Sequence, residues 1–546
     1  MAHKVKRQPS ENHPSIDYKP HPHSNCRHHR RTDKIRTWCN SHLWLKWILP
    51  IMGLVSLIWF LVRVIPKPSR ATYPCQRLAA PLAGGFIVWI TGLVSSAFLY
   101  CRARLLLKRS RYITAGILII FSVMIVWGSL SLTTNNPAEA AFSPSEPVNS
   151  PMGVVKGIYP GRVVWIRNPD ATSWDQQNGN WWDDDNTNQS KVDDMISKSI
   201  RQLTGQSSDS LAWDALFKHF NKTKGPGDVG YKKGEKIVIK INSNQDRSDR
   251  WRSGAGVHSP QVIYSLMVQL IVNAGIPGED ITIYDATDRR NIGDPIFNKI
   301  RGNPDKNFQA VRFIVGIQPT PEGRAAPVVD QDNPIRFAQS NLQAAFLPKC
   351  VTGAKYMINL ALLRAHNICG ITLTAKNHYG STYFPNNGWT PRPLHRSSSA
   401  RNPMGTYNNL VDLIGHEHLG GKTILYVIDG LYTALFNEEQ VFRFESLDND
   451  WASSILVSQD PVAIDSVGLD ILRSEPRATH VTGNPDNYLH EAAMANNPPS
   501  GMKYDPEGDG AVLESLGVHE HWNNPKDRKY SRNLGTGDGI ELTEAR

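Results

Sequence analysis

The chain has 546 residues, with 60 Lys+Arg against 50 Asp+Glu and 6 cysteines, a length that allows roughly two to four folded units. The charge is divided: residues 1–132 hold 19 bases and only three acids (Glu11, Asp17 and Asp33), a net of +16, while residues 133–546 hold 41 bases against 47 acids, a net of −6. The basic balance therefore belongs to the front end, which argues against a nucleic-acid partner for the folded part. Six cysteines with no C-x-x-C pair exclude a disulfide scaffold and the usual cysteine sites for zinc or haem, and no iron–sulfur cluster is expected.

In chain order, residues 1–42 form a basic tail containing His21, His23, His28, His29 and Cys26, and read as a disordered polybasic arm facing anionic lipid or a soft-metal binder. Residues 43–132 carry three apolar runs: Leu43 to Val64, Pro81 to Tyr100 and Tyr112 to Leu132, each long enough to span a bilayer of about 30 Å. Five bases between Cys101 and Arg111, against three between Ile65 and Ala80, place the tail and second connector in the cytoplasm. The expectation is three transmembrane helices in the inner (cytoplasmic) membrane, with the lipid bilayer as a partner and everything after Thr133 on the extracytoplasmic side. Ala138-Glu139-Ala140-Ala141 has the small-x-small pattern of a signal-peptidase site, and residues 133–151 read as a linker.

From residue 152 strand and helix signals alternate. Val163 to Ile166, Lys236 to Ile241, Asp280 to Tyr284, Val311 to Val315, Tyr356 to Leu360, Thr423 to Ile428 and Ile455 to Val457 read as strands. Pro260 to Ala274 and Pro461 to Leu472 read as helices, the first with Pro260 in its opening turn and Gly275 at its stop. The strand, helix and strand from Lys236 to Tyr284 predict a right-handed crossover between parallel neighbours. The expected fold is α/β, a mostly parallel sheet with flanking helices over residues 152–480, followed by a C-terminal extension at 481–546.

Polar residues collect at the predicted strand ends: Asn242 and Asn244, Asp285 and Asp288, Asn359 with Arg364 and His366, Asp429, and Asp460 with Asp465. In a parallel sheet these ends share one edge, where open α/β folds bind ligands, although Asp and Asn also serve as ordinary caps and turns. The densest stretch is Arg364 to Gly380, with Arg364, His366, Lys376, Asn377 and His378. Its cations suit a carboxylate or phosphate. His366, His378, Asp429 and Asp465 offer a mixed nitrogen and oxygen set for a divalent metal. Catalytic roles fall to His366, Lys376, His378 and Asp429, and His395 is placed to close over the same site.

The phrases KIVIKINSN, HSPQVIYSLMVQLIVNAGIPGEDITIYDAT, INLALLRAHNICGITLTAKNHYGS, VIDGLY and SQDPVAID occur in that order. Together they resemble the bacterial and archaeal "domain of unknown function three-six-two" family over residues 155–480. The resemblance implies that Lys240, Asn242, His258, Asp285, Lys376, Asn377, His395, Asp429, Asp460 and Asp465 fall in recurring family blocks; it implies no reaction. Some members are fused to ferredoxin-type modules, a role this chain lacks the cysteines to share. The stretch from His258 to Arg290 also resembles a piece of lactate racemase, a nickel-cofactor isomerase, which hints at small hydroxy or carboxy acids.

Beyond Gly483, Asp505 to Gly510 begins like a calcium loop but lacks the acid at position twelve, where Leu516 stands. His519, Glu520 and His521 read as part of an extended surface tail; in a strand their spacing would put both imidazoles on one face. Two functions follow. One is an extracytoplasmic α/β protein that binds or transforms an anionic small molecule, with a divalent metal as candidate cofactor. The other is a non-catalytic ligand- or surface-binding domain using Trp165, Trp174, Trp181, Trp182 and Trp213. The sequence decides neither enzymatic status nor oligomeric state.

Overall fold

The computed structural model describes residues 147–545 except 244–245, 247–250, 289, 317–322, 399, 435–439 and 480; before these it describes 74–109, 111–114 and short parts of 54–65 and 116–122. The chain divides into two units, Met1–Ala140 and Ala141–Arg546. The tail at 1–42, much of the first and third apolar runs, the Ala138 to Ala141 motif and Asn244 lie outside the described residues.

The first unit corrects the membrane expectation. Among the described residues no helix is long and apolar enough to cross a membrane. The second apolar run is no separate element: it belongs to a 35-residue helix, Pro74–Lys108, that also contains Gln76, Arg77, Arg102, Arg104 and Lys108. Glycines 84, 85 and 92 further dilute the apolar character of the run.

The second unit is built on a nine-stranded sheet. Its strands are β1 (Arg162–Arg167), β2 (Ile237–Lys240), β3 (Ile281–Asp285), β4 (Arg312–Val315), β5 (Arg324–Ala325), β6 (Tyr356–Leu362), β7 (Thr423–Gly430), β8 (Ser454–Ser458) and β9 (Glu541–Ala545). They lie in the order β9-β1-β8-β7-β6-β2-β3-β4-β5. All neighbours are parallel except the two pairs made by β8. The expected mostly parallel α/β sheet is therefore present.

The strands are apolar on both faces because both are covered. Val163, Val238, Met357, Tyr426 and Leu456 enter one core, while Val164, Ile239, Ile358, Val427 and Val457 enter the other. The second core is closed by α1 (Gln189–Thr204), α2 (Asp209–Lys224), α3 (Pro260–Val268) and α4 (Asp294–Arg301). The first is closed by α5 (Pro461–Ser474) and α6 (Asp486–Ala493). Helix α3 starts as its sequence dictates, with Ser259 Oγ accepting from Val262 N–H and Pro260 in the first turn. A π-turn over Gln269–Asn273 replaces the expected last turn, and Gly275, at φ +68°, ends it.

Chain order reverses in the middle of the sheet. From β2 the strands proceed outward through β3 and β4 to β5, whereas β6 returns to the other side of β2 and leads to β7. The β2–β6 boundary is thus a topological switch point, the place at the carboxyl edge where open α/β folds bind ligands. Lys240 and Asn359 are register partners there.

Two sequence expectations change. Because β8 runs antiparallel to β7, with Tyr426 opposite Ser458, its carboxyl end lies at the opposite edge, and Asp460 goes there. The supposed surface tail is buried: Met152 pairs with His519, and Val518 through Trp522 are almost solvent-free. Downstream, β9 extends the sheet beside β1. Asp505 to Gly510 forms a self-capped turn, the Asp505 carboxylate accepting from Gly508, Asp509 and Gly510 N–H.

Asp460 ties these parts together. Its Oδ1 accepts from Val462 and Ala463 N–H at 3.0 and 2.9 Å and caps α5, while Oδ2 accepts from Lys156 and Val518 N–H at 3.0 and 3.2 Å. Four amides, three of them buried, lose their acceptor in Asp460→Ala, which is expected to destabilise the unit by about 2–4 kcal/mol in urea unfolding. Asp460→Asn retains one acceptor oxygen and is expected to lose less; equal losses would refute the capping account.

Candidate functional site

At the switch point the Lys240 ammonium is wholly buried and donates to Asp285 Oδ2 at 3.1 Å and to Asn377 Oδ1 at 3.3 Å. Asp285 also accepts from Ser243 and Thr287 N–H, both at 2.9 Å. Asn377 donates to Lys240 O, to Leu360 O and to Asn359 Oδ1. Asn359 in turn donates to Thr374 O and to His378 Nε2, the latter at 3.0 Å. Burial foremost, then the charge of Lys240, pushes the His378 imidazole down to about 3, so it is neutral. Gly380 covers the ion pair: a Cβ there would stand 2.6 Å from Asp285 Oδ1 and 2.7 Å from Lys240 Nζ.

The loop carrying these residues is held from behind. Asp465, on α5, accepts from Thr374 N–H and Oγ1–H at 2.8 and 2.7 Å, from Ala375 N–H at 3.0 Å, and from the Tyr488 hydroxyl at 2.8 Å. Asp465 thus positions the short helix Thr374–Asn377. Burial raises its carboxyl above the ordinary range, against those same donors.

Next to this network, Asp429 at the end of β7 accepts from Ser259 N–H at 2.8 Å, from Leu431 N–H at 3.2 Å and from His258 Nδ1 at 3.3 Å. His258 Nε2 accepts from Asn242 N–H at 2.9 Å, so the imidazole proton resides on Nδ1. Burial lowers the His258 imidazole, with Asp429 opposing. Buried Arg364 donates from Nη2 to Gly256 O, while its Nη1 has no hydrogen-bond partner among the described residues. Burial pushes its guanidinium down to about 10, against the attraction of Asp429, and it stays charged.

Lys376, His366 and His395 form the outer part. His366 Nδ1 accepts from Ile368 and Cys369 N–H at 3.1 and 3.2 Å, and its ring stacks on His395 with centroids 5.4 Å apart. The Lys376 ammonium lies 5.1 Å from the Tyr379 ring centroid and close enough to Arg364 to feel its charge. No hydrogen-bond acceptor for it exists among the described residues. Burial, with Arg364 adding to it, pushes the ammonium down to about 8. His395 Nδ1 faces Pro391 O at 3.1 Å, and its buried Nε2 has no hydrogen-bond partner among the described residues. Burial and then Lys376 take its imidazole down to about 3. A groove of about 400 Å³ runs beside the helix that carries His395, lined by Phe384, Pro393, Arg396 and Asn402.

The four residues read as a metal set do not converge. Asp465 is saturated by the 374–375 amides and Asp429 by the 259 and 431 amides, while His378 Nε2 is taken by Asn359 and its buried Nδ1 has no hydrogen-bond partner among the described residues. Asp288 is exposed. Among the described residues the carboxylate and imidazole groups that do gather are Asp486, His519 and His521, one ligand atom of each lying within 4.8 Å of the others.

Residues 237–470 match the family model described as "Domain of unknown function (DUF362)". The chain carries a DUF362 domain. A solved structure, the lactate racemase apoprotein from Thermoanaerobacterium thermosaccharolyticum, is similar at 10% identity and a TM-score of 0.26, over 59% of this chain and 62% of that one. The chain thus spans less than two thirds of that protein, and a likeness of this size carries no argument about chemistry. No curated protein matches the sequence.

The DUF362 match encloses the whole switch-point network, from Lys240 to Asp465, and stops before Asp486, His519 and His521. Sequence reasoning missed that triad. His519 and His521 showed the two-residue spacing of one strand face, but nothing marked Asp486, about thirty residues earlier, as their neighbour. Gly256 was also passed over, and Gly380 was read only as the end of the loop, since a carbonyl acceptor and a missing Cβ leave no chemical signature.

Within the DUF362 domain Lys240 and Asp285 depend on each other. Lys240→Met leaves a buried carboxylate without its cation, an expected loss of about 3–5 kcal/mol in chemical unfolding. Adding Asp285→Asn should recover part of that loss. A Lys240→Met protein as stable as the parent would show that the pair does not hold this edge together.

Proposed function

We propose that the DUF362 domain binds a small molecule through an anionic group, carboxylate or phosphate, with Arg364 and Lys376 as its anchors. The carrying observation is a charge imbalance. Three buried cations, Lys240, Arg364 and Lys376, face two carboxylates, Asp285 and Asp429; among the described residues Arg364 Nη1 is a buried nitrogen without a hydrogen-bond partner, and the Lys376 ammonium lies near enough to feel its charge. Buried charge without a partner is costly, and an anion is the partner that removes the cost. Arg364 offers a fork and Lys376 a point charge. The location supports this, since open α/β sheets place ligands at the switch point.

For chemistry on the bound molecule, His395 is the candidate proton acceptor. If the neutral ring donates from Nδ1 to Pro391 O, its Nε2 retains a lone pair beside Lys376. A bound anion would raise its low pKa toward a useful range. Binding without turnover is the second reading, favoured by the saturation of Asp429 and Asp465 with backbone amides. Trp165, Trp174, Trp181, Trp182 and Trp213 are buried, so they offer no exposed aromatic face for a surface-binding role.

Titration calorimetry with oxalate in one arm and inorganic phosphate in the other tests the reading. Lys376→Gln and Arg364→Gln should each weaken the productive arm roughly 10- to 100-fold, the worth of a charged hydrogen bond. The anion prefers protonated Lys376, so binding raises its pKa above the unliganded value of about 8. Affinity should be full well below that value and fall as pH rises through it. No binding in either arm, or an affinity indifferent to Lys376→Gln, would sink the proposal.

A further inference from the structure

Outside the DUF362 match, three features converge on one point: a buried carboxylate, two imidazoles on one face of an extended segment, and a helix that orients all three. Asp486 opens α6, and His519 and His521 alternate along the segment that pairs with Met152. Glu520 between them turns the other way, accepting from Ser531 N–H and Oγ–H. His521 Nε2 lies 3.3 Å from Asp486 Oδ1, roughly the separation of two ligands on a tetrahedral zinc whose bonds are about 2.0–2.1 Å.

The supporting contacts fix which ring nitrogens are proton donors. His521 Nδ1 meets Asp470 Oδ1 at 2.6 Å, so it carries hydrogen. Ser466 Oγ donates to Val462 O at 2.7 Å and must therefore accept from His519 Nδ1, which lies 2.8 Å away. With Nδ1 so engaged, Nε2 is the atom each ring can offer to a metal, His521 Nε2 exchanging its present contact with Asp486 Oδ1 for a shared ion. Carboxylate or hydroxyl partners on the far nitrogen are how metal-bound histidines are usually held. Arg473 forks onto Asp486 at 2.7 and 2.6 Å and fixes that carboxylate. Ser466, Asp470 and Arg473 lie at i, i+4 and i+7 of α5, on one helix face.

We propose that Asp486, His519 and His521 bind a divalent transition metal of the zinc type, which clamps the C-terminal segment onto α5 and α6. Two imidazoles and one carboxylate suit zinc or cobalt and poorly suit calcium or magnesium, which prefer all-oxygen sets. The buried position makes the clamp part of the fold. This goes beyond anion binding at the switch point and does not depend on it.

The test uses the full chain, stripped with chelator and then titrated with zinc, and separately with cobalt(II). The expected results are one zinc per chain, a rise in unfolding temperature on zinc addition, and the intense visible bands of four-coordinate cobalt. His519→Gln should abolish the bands and the temperature rise. Ser466→Ala, which removes the hydroxyl that accepts from His519 Nδ1 and leaves every proposed ligand in place, should weaken zinc affinity roughly 10-fold. A chain that takes up no zinc, or a folded His519→Gln chain that binds it as the parent does, overturns the proposal. If His519→Gln does not fold, Ser466→Ala decides alone, an unchanged affinity counting against it.

Discussion

The buried ion pair between Lys240 and Asp285 is the constraint around which the carboxyl edge of the sheet is arranged. An ammonium carried into the interior on a parallel strand loses its hydration and must be repaid by close oxygen acceptors. Asp285 supplies the charge from the adjacent strand, and Asn377 supplies a neutral acceptor from the opposite side. Asn377 can do so only because its amide is fixed by Lys240 O, Leu360 O and Asn359 Oδ1. The chain must also approach closely enough to exclude water, and at Gly380 there is no room for a side chain.

That arrangement explains why the segment from Arg364 to Gly380 is rich in cations and histidines yet gathers no cluster of metal-ligand atoms among the described residues. The histidines there are desolvated and neutral, and one nitrogen of each is engaged by amides: His366 Nδ1 by the 368 and 369 N–H groups, His378 Nε2 by Asn359. The carboxylates that might have completed a metal set are consumed as anchors for loops. What remains unbalanced is positive charge, on Arg364 and Lys376. In a low-dielectric crevice one excess cation is a stronger determinant of ligand class than any count of histidines.

Much of the scaffold was legible because β-branched runs such as KIVIK and DITIY leave little alternative to buried parallel strands, and because Ser259-Pro260 marks a helix start. The site was legible as a set of strand-end residues but not as a set of partners. Asp460 shows why: strand direction is a tertiary property, and β8 reads like its parallel neighbours while running against them. Asp465 shows a second reason, since a buried aspartate that caps a distant loop has the same local sequence as a ligand. His519 and His521 were placed on one strand face by periodicity, yet their burial depends on the pairing of Met152 with His519, between residues at opposite ends of the unit. The apolar front end shows the limit of composition: the run from Pro81 to Tyr100 looked self-contained, but the helix it forms continues through Arg102, Arg104 and Lys108.

Helix α5 connects the two candidate sites. Its residue Asp465 holds the 374–377 turn, and the next residue, Ser466, faces His519. Further along, Asp470 and Arg473 orient His521 and Asp486. Helix α6 makes the same connection in reverse, with Asp486 in the imidazole cluster and the Tyr488 hydroxyl on Asp465. From Asp486 on α6 the chain of contacts runs to Tyr488, two residues later, through its hydroxyl to Asp465, and from there to the Thr374 and Ala375 amides that precede Lys376 and Asn377. The path consists of hydrogen bonds to one carboxylate, and it has no slack: Asp465 is fully buried and both its oxygens are taken. Order in the C-terminal segment thus contributes directly to the rigidity of the cationic loop, so the part of the chain beyond the DUF362 match supports the geometry within it.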